Sequence, residues 1–174
     1  MEIIEAVTSD IPELRRFYDR MCEVLGKQSF LPEGNKGGFP SDDMLHNAVK
    51  DHQQFIGSQD GNIAAAYVMN HECDAAYDQA RWHVNAGRDK VGILHGLRVL
   101  LEYGGRGYSH KLVEHAIRIA RVRGLKAIRL DCIVGDDIPQ KMYMSLGFQY
   151  IDTVSITYVD IGVPRDFNLY ELAL

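Results

Sequence analysis

The chain has 174 residues, 46% of them apolar, and a net charge of −5. That length predicts one domain over residues 1–174 with a sizeable core. No basic run exists to grip nucleic acid, and no apolar run approaches membrane-spanning length. The acidity mildly favours a cationic small substrate.

Ile3 to Val7 reads as a short strand. Asp10 then reads as an N-cap, with Pro12 in the first turn and Glu13 closing a capping box. Leu14, Phe17, Tyr18, Met21 and Leu25 follow at helical spacing, and Gly26 ends the helix. Gly34 to Pro40 is a glycine-rich loop. Ser41 caps a short helix through Val49, buried on Leu45 and Val49. Gln53–Ser58 and Ile63–His71 read as a hairpin about Asp60-Gly61. The long connection over 72–90 is a functional loop or carries a small helix near Ala75–Ala80.

Val91 to Val99 is a strand running into a loop that holds Gly104, Gly105 and Gly107. Tyr108 to Arg123 is an amphipathic helix with Leu112, Ala116, Ile119 and Ala120 on one face. Permissive backbone at the three glycines turns successive N–H groups toward one point, and a helix start adds its own free N–H groups and positive dipole end. Such a place suits a phosphate or pyrophosphate. Ala127 to Ile133 is a buried strand. Asp136 or Asp137 caps a helix from about Pro139 to Leu146, and Gly147 stops it. Phe148–Tyr158 and Phe167–Leu172 are the last strands. Mixed strands and helices in this order predict an α/β or α+β sheet with helices on both faces.

The thiols Cys22, Cys73 and Cys132 are odd in number and widely spaced, so they read as reduced rather than as a disulfide framework. With no leader-like start, the expectation is a cytoplasmic protein. His71, Glu72, Cys73, Asp74 and Trp82-His83 fit no metal-ligand spacing, and no metal is expected.

Two segments carry a resemblance. One is the strand, glycine loop and helix from Leu97 to Leu112. The other is Leu130-Asp131-Cys132, then Asp136 to Pro139, then Met142-Tyr143-Met144-Ser145-Leu146-Gly147-Phe148. Together, in this order and spacing, they resemble the GNAT N-acetyltransferase superfamily. Its Arg/Gln-x-x-Gly-x-Gly/Ala motif is matched with Gly104 at the first position and Ser109 at the last. Its Asn-x-x-Ala-x-x-x-Tyr-x-x-x-Gly-Phe pattern is matched with Asp136 for Asn and Pro139 for Ala.

The resemblance implies a mostly antiparallel mixed sheet with a splayed parallel strand pair, open near Val99 and Leu130. It implies acetyl-CoA as cosubstrate, with no metal. The pyrophosphate would sit on backbone from Gly104, Gly105, Arg106, Gly107, Tyr108 and Ser109, and Asp136 would be a further cofactor-binding residue. Pantetheine would pair with Leu97, Val99 and Leu101, and the Val99 amide would polarise the thioester carbonyl. Arg106 could supply charge in place of the missing Arg/Gln or stay solvated.

The same resemblance puts Tyr143 at the general-acid position; alternatively its ring only packs and orients the cofactor. His95 is the nearest equivalent of the base, with a water chain as the other option, and Glu102 reads as a solvated loop residue. Residues 71–83 and Phe30–Phe39 would wall the acceptor pocket, unless Trp82 merely plugs a groove. The expected activity is acetyl transfer to a primary amine of a small molecule or protein by direct attack in a ternary complex, with homodimerisation implied only by resemblance. A non-catalytic acyl-CoA-binding sensor is the alternative. A nucleotide-binding protein lacks support, since no Gly-Lys-Ser/Thr or dinucleotide fingerprint accompanies the glycines.

Overall fold

The computed structural model describes residues 1–25, 27, 40–159 and 161–174. Seven strands form one mixed sheet in the order β1-β2-β3-β4-β5-β7-β6. They are β1 Glu2–Glu5, β2 Gln54–Gln59, β3 Asn62–Asn70, β4 Val91–Val99, β5 Ala127–Ile133, β6 Gln149–Ile156 and β7 Arg165–Ala173. The helices are α1 Ile11–Leu25, α2 Asp42–Lys50, α3 Tyr108–Val122 and α4 Asp137–Ser145. The pairs β1–β2, β2–β3, β5–β7 and β6–β7 are antiparallel, and β4–β5 is parallel. This is the expected mixed, mostly antiparallel sheet with one parallel pair. Among the described residues no helix is long and apolar enough to cross a membrane.

The chain divides into two compact units, Met1–Val68 with Gly96–Leu112, and Met69–His95 with Val113–Leu174. In the first, Leu14, Phe17, Tyr18 and Met21 recur at helical spacing and are buried against Leu45, Val49, Ile56, Ile63 and Leu100. Burying such side chains supplies about 1.5–3 kcal/mol each, which holds a helix that propensity alone would not. Ser41 caps α2, its hydroxyl accepting the Met44 N–H at 3.2 Å.

The start of α1 departs from the expected capping box. A short 3-10 turn over Thr8–Asp10 precedes the helix, and the Asp10 carboxylate accepts the Val7 N–H. Glu13 instead accepts the N–H of Ile63 at 2.8 Å, tying α1 to β3. Glu102 is not merely solvated but pairs with Arg20 at 2.7 Å. The end of α1 at Gly26 and the loop residues Phe30–Phe39 lie outside the described residues.

In the second unit, Val91, Ile93, Ile156, Phe167 and Leu169 form a core with Ala76 and Tyr77. The 72–90 connection does carry a small helix, a 3-10 turn over Ala75–Gln79 capped by Asp74. Helix α4 begins at Asp137, two residues before the expected start, so Pro139 sits inside its first turn, where its missing N–H costs no helical hydrogen bond.

Candidate active site

The glycine loop lies in the first unit. Strand β4 ends at Val99, and Leu101 falls in a 3-10 turn over Leu101–Tyr103, 70% exposed. The Leu101 carbonyl accepts the Gly104 N–H, so Leu101 offers no strand edge. Gly104 takes φ −61°, a value open to any residue, whereas Gly105 and Gly107 take +71° and +72°. Only the latter two need glycine for conformation. A Cβ at either would meet nothing within 4 Å.

Helix α3 starts at Tyr108, and its first backbone bond closes from the Lys111 N–H to the Gly107 carbonyl. From Gly105 to Ser109 no backbone N–H is engaged among the described residues. That is a run of donors at a helix N-terminus beside open space, and it fits a pyrophosphate. The Tyr108 hydroxyl is tied to Gln59 at 3.0 Å, and Arg106 lies 5.4 Å from the centre of the Tyr103 ring.

The catalytic candidates lie in the second unit. The parallel ladder covers only Val91–Ile93 against Ala127–Arg129. The last rung, Ile93–Arg129, lies six residues before Val99 but only one before Leu130, where the sequence placed the opening. Strand alternation sorts β5 and β7 between two faces. Arg129, Asp131 and Ile133 share one face with Phe167, Leu169 and Glu171, and this face receives the 72–90 connection. The opposite face receives α4, whose Gln140 accepts hydrogen bonds from Asn168 at 2.9 Å and Tyr170 at 2.7 Å.

His95 and Asp131 are the first residues of the loop-bearing face beyond the last rung. His95 Nε2 lies 2.9 Å from the Glu72 carbonyl and 2.9 Å from Asn70 Oδ1. A carbonyl only accepts, so Nε2 carries the proton and Nδ1 keeps its lone pair. Nδ1 takes no hydrogen bond among the described residues. Burial holds the His95 pKa below the ordinary histidine value, while the Asp131 charge and the Glu72 contacts pull the other way. A base that stays neutral near pH 7 is the result.

Asp131 Oδ2 accepts from the Tyr77 hydroxyl at 2.7 Å and the Tyr158 hydroxyl at 2.6 Å. Its Oδ1 takes no hydrogen bond among the described residues. Burial first, then the Asp131 charge, raises the Tyr77 pKa well above its usual value, so that hydroxyl remains a donor. Two phenols therefore fix one carboxylate oxygen and leave the other presented.

The 71–83 segment is held onto this face by its own contacts. Glu171, 2% exposed, accepts the His83 and Val84 N–H groups and the Arg129 Nε–H at 2.8 Å. The Arg129 guanidinium lies 4.1 Å from the centre of the Trp82 ring, and Trp82 Nε1–H donates to the Tyr77 carbonyl. Trp82 is thus a clamp that positions Tyr77.

Tyr143 sits in the last turn of α4, 6% exposed, its ring edge-on to Phe148 at 5.5 Å. Gly147 takes φ +93°, and the Phe148 N–H returns to the Tyr143 carbonyl at 3.1 Å. The Tyr-x-x-x-Gly-Phe spacing therefore encodes a helix stop that folds Phe148 onto Tyr143. Asp136 occupies the N-cap of α4 without a side-chain cap bond, its carbonyl accepting from Gln140.

The second unit thus brings His95 together with Asp131, Tyr77 and Tyr158, three residues that reading by motif passed over. For Asp131 the signal was in the strand pattern. Arg129 and Asp131 are polar at alternate positions of an otherwise apolar strand, which marks a face with its own partners.

A family model described as the acetyltransferase (GNAT) family matches residues 14–148. No protein of curated function matches the chain by sequence. Solved structures share the fold at low identity. One is a ribosomal-protein-alanine N-acetyltransferase from Brucella melitensis, TM-score 0.73 at 16% identity, covering 100% of both chains. Another is a GNAT-family acetyltransferase from Streptococcus pneumoniae, TM-score 0.72 at 20% identity, covering 99% of each chain. A third is a putative acetyltransferase from Salmonella typhimurium with its cofactor acetyl-CoA, TM-score 0.72 at 16% identity, covering 99% of this chain and 93% of that one.

Proposed function

The chain belongs to the acetyltransferase (GNAT) family, and on that premise we propose that it transfers an acetyl group from acetyl-CoA to a primary amine by direct attack. The observation that carries the reading is the His95–Asp131 arrangement at the parting of β4 and β5. An alkylamine is mostly protonated near neutral pH, given a reference pKa of about 10.4, and an ammonium cannot attack a thioester. The presented Asp131 oxygen attracts the ammonium, and His95 Nδ1 accepts its proton. The imidazolium so formed is stabilised by the Asp131 charge. A water chain through His95 is the variant of the same step.

Acetyl-CoA supplies the activated acyl group and a thiolate leaving group. The N–H groups from Gly105 to Ser109 are the pyrophosphate donors, and Leu97 and Val99 supply strand backbone for the pantetheine. The Val99 N–H is the donor for the thioester carbonyl, where negative charge develops. Tyr143, with a phenol of reference pKa about 10, gives its proton to the departing sulfur. Asp136, at the start of the Tyr143 helix, stands where the family motif has Asn.

The test is a broad amine screen with acetyl-CoA, reading free thiol release and confirming products by mass. Acetylated amine that forms markedly more slowly in the Asp131→Asn variant supports the reading. Tight CoA binding with no product from any amine class would replace it with a non-catalytic acyl-CoA-binding module.

A further inference from the structure

The face that carries Asp131 continues past it into a groove that neither the proton chemistry nor the cofactor loop uses. Ile133, Val134, Pro164, Arg165 and Asp166 line a volume of about 270 Å³. Arg165 opens β7, two residues before Phe167 and in the same alternation, so it lies on the loop-bearing face with Phe167 and Leu169. Its Nε is buried without a hydrogen-bond partner. No ion pair or hydrogen bond of its side chain exists among the described residues. The adjacent Asp166 alternates to the other face, and its carbonyl accepts the Val134 N–H at 2.9 Å.

A half-buried guanidinium without an anion is costly, and a planar donor fork at a groove is a carboxylate or phosphate receptor. Arg129, on the same face, shows the contrast, since Glu171 and the Val84 carbonyl satisfy it. Register fixes the geometry relative to the amine site. Asp131 pairs with Leu169, and Arg165 stands four residues along β7 from Leu169. That separation is about 13 Å of strand.

We propose that Arg165 and its groove bind an anionic group carried by the acceptor, remote from the amine received at Asp131. The acceptor class is then an amine bearing a carboxylate or phosphate roughly 10 Å or more away, rather than an α-amino acid or a plain polycation. This rests on the amine-acetylation reading, but its test includes binding alone.

The probes are ω-aminooctanoate and its neutral amide, which differ only in charge at the far end. Calorimetry and acetyl-CoA kinetics are run on the wild type, Arg165→Gln and Arg165→Lys. A charge-assisted pair predicts a preference of about tenfold for the carboxylate, falling to near unity in Arg165→Gln and recovering in part with lysine. Equal binding of the two probes by the wild type would overturn the proposal, as would a preference kept by Arg165→Gln. Arg165-dependent binding of inorganic phosphate with no preference between the probes would also overturn it, by assigning the groove to a free anion. Preferential binding without any acetyl transfer would leave the anion site standing and remove the enzymatic reading instead.

Discussion

His95 on β4 and Asp131 on β5 stand at equivalent places, each two residues beyond the final rung Ile93–Arg129 of the parallel ladder. Where strands remain paired, backbone groups are consumed by the neighbouring strand. Where they part, side chains of facing strands can share a ligand. The arrangement puts an anion beside an imidazole that burial keeps neutral.

The first prediction follows from the sign of that shift. Burial lowers the His95 pKa below the ordinary value, and the Asp131 charge opposes the lowering. The acid limb of kcat/KM should therefore fall below pH 6.5, the ordinary histidine value. His95→Ala should remove that limb, while Asp131→Asn should move it to still lower pH. Rate profiles between pH 5 and 8 read both. A limb that stays in place in His95→Ala would assign the proton to another group.

Tyr77 and Tyr158 are positioning residues for Asp131. Phenylalanine at either keeps the ring contacts with Trp82 or Phe167 and removes one bond to the carboxylate. Hydrogen bonds to a charged group are worth about 1.5–3 kcal/mol, so each variant should lose stability of that order in urea unfolding. The Michaelis constant for the amine should rise, with CoA affinity retained. A variant that loses stability but binds amine normally would make the tyrosines structural only.

Much of this was legible in the sequence. Strand β4 was read at its observed bounds because Val91–Val99 is an apolar run between polar loops, and α3 to within one residue because its buried stripe has helical period. The proposed catalytic pair was less legible. Asp131 lies in a segment whose apolar character dominated the reading, and its two tyrosines come from residues 54 and 27 positions away. Glu13 misled for the same reason, since a distant N–H on Ile63 outcompeted the local capping box.

The glycine loop makes a conformational prediction. Gly107→Val places a β-branched residue at φ +72°, a left-handed backbone costing non-glycine residues about 1–2 kcal/mol or more. CoA affinity should fall strongly, because the loop must rearrange and the side chain enters the space proposed for the pyrophosphate. Gly104→Ala is the contrast. Its φ of −61° is ordinary, though a Cβ would meet the Leu101 carbonyl at 3.0 Å, so only a small loss is expected. Calorimetry on folded variants measures both, and equal CoA affinity of Gly107→Val and wild type would move the site elsewhere.

Tyr18 makes an alkaline prediction for the first unit. Burial pushes its phenol up to about 12 from 10.0, and its hydroxyl donates to Gln54 Oε1 at 3.1 Å. The folded chain therefore holds a proton that the unfolded chain releases near 10. This contribution to stability is complete below pH 10 and is lost as pH rises toward 12. Tyr18→Phe should remove that slope from a urea midpoint series. It should also cost about 1–3 kcal/mol at neutral pH, because Gln54 Oε1 is left buried without its donor.

Tyr143 decides whether the helix stop at Gly147 serves chemistry or only packing. Its ring is seated against Phe148, and its carbonyl closes the turn, so Tyr143→Phe preserves both and removes the hydroxyl alone. General acids contribute about 100- to 10,000-fold. A thiolate already leaves tolerably well, so the lower end of that range is expected here. The variant should lower kcat by about 100-fold and leave the Michaelis constant for acetyl-CoA nearly unchanged, since an interaction made only in the transition state affects kcat and kcat/KM equally. Steady-state kinetics with an acceptor from the screen provides the measurement, with single-turnover rates showing that chemistry is rate-limiting. A near-wild-type kcat under those conditions would reject the acid role. A loss confined to CoA affinity would make the hydroxyl a cofactor contact, and the sulfur would then take its proton from solvent.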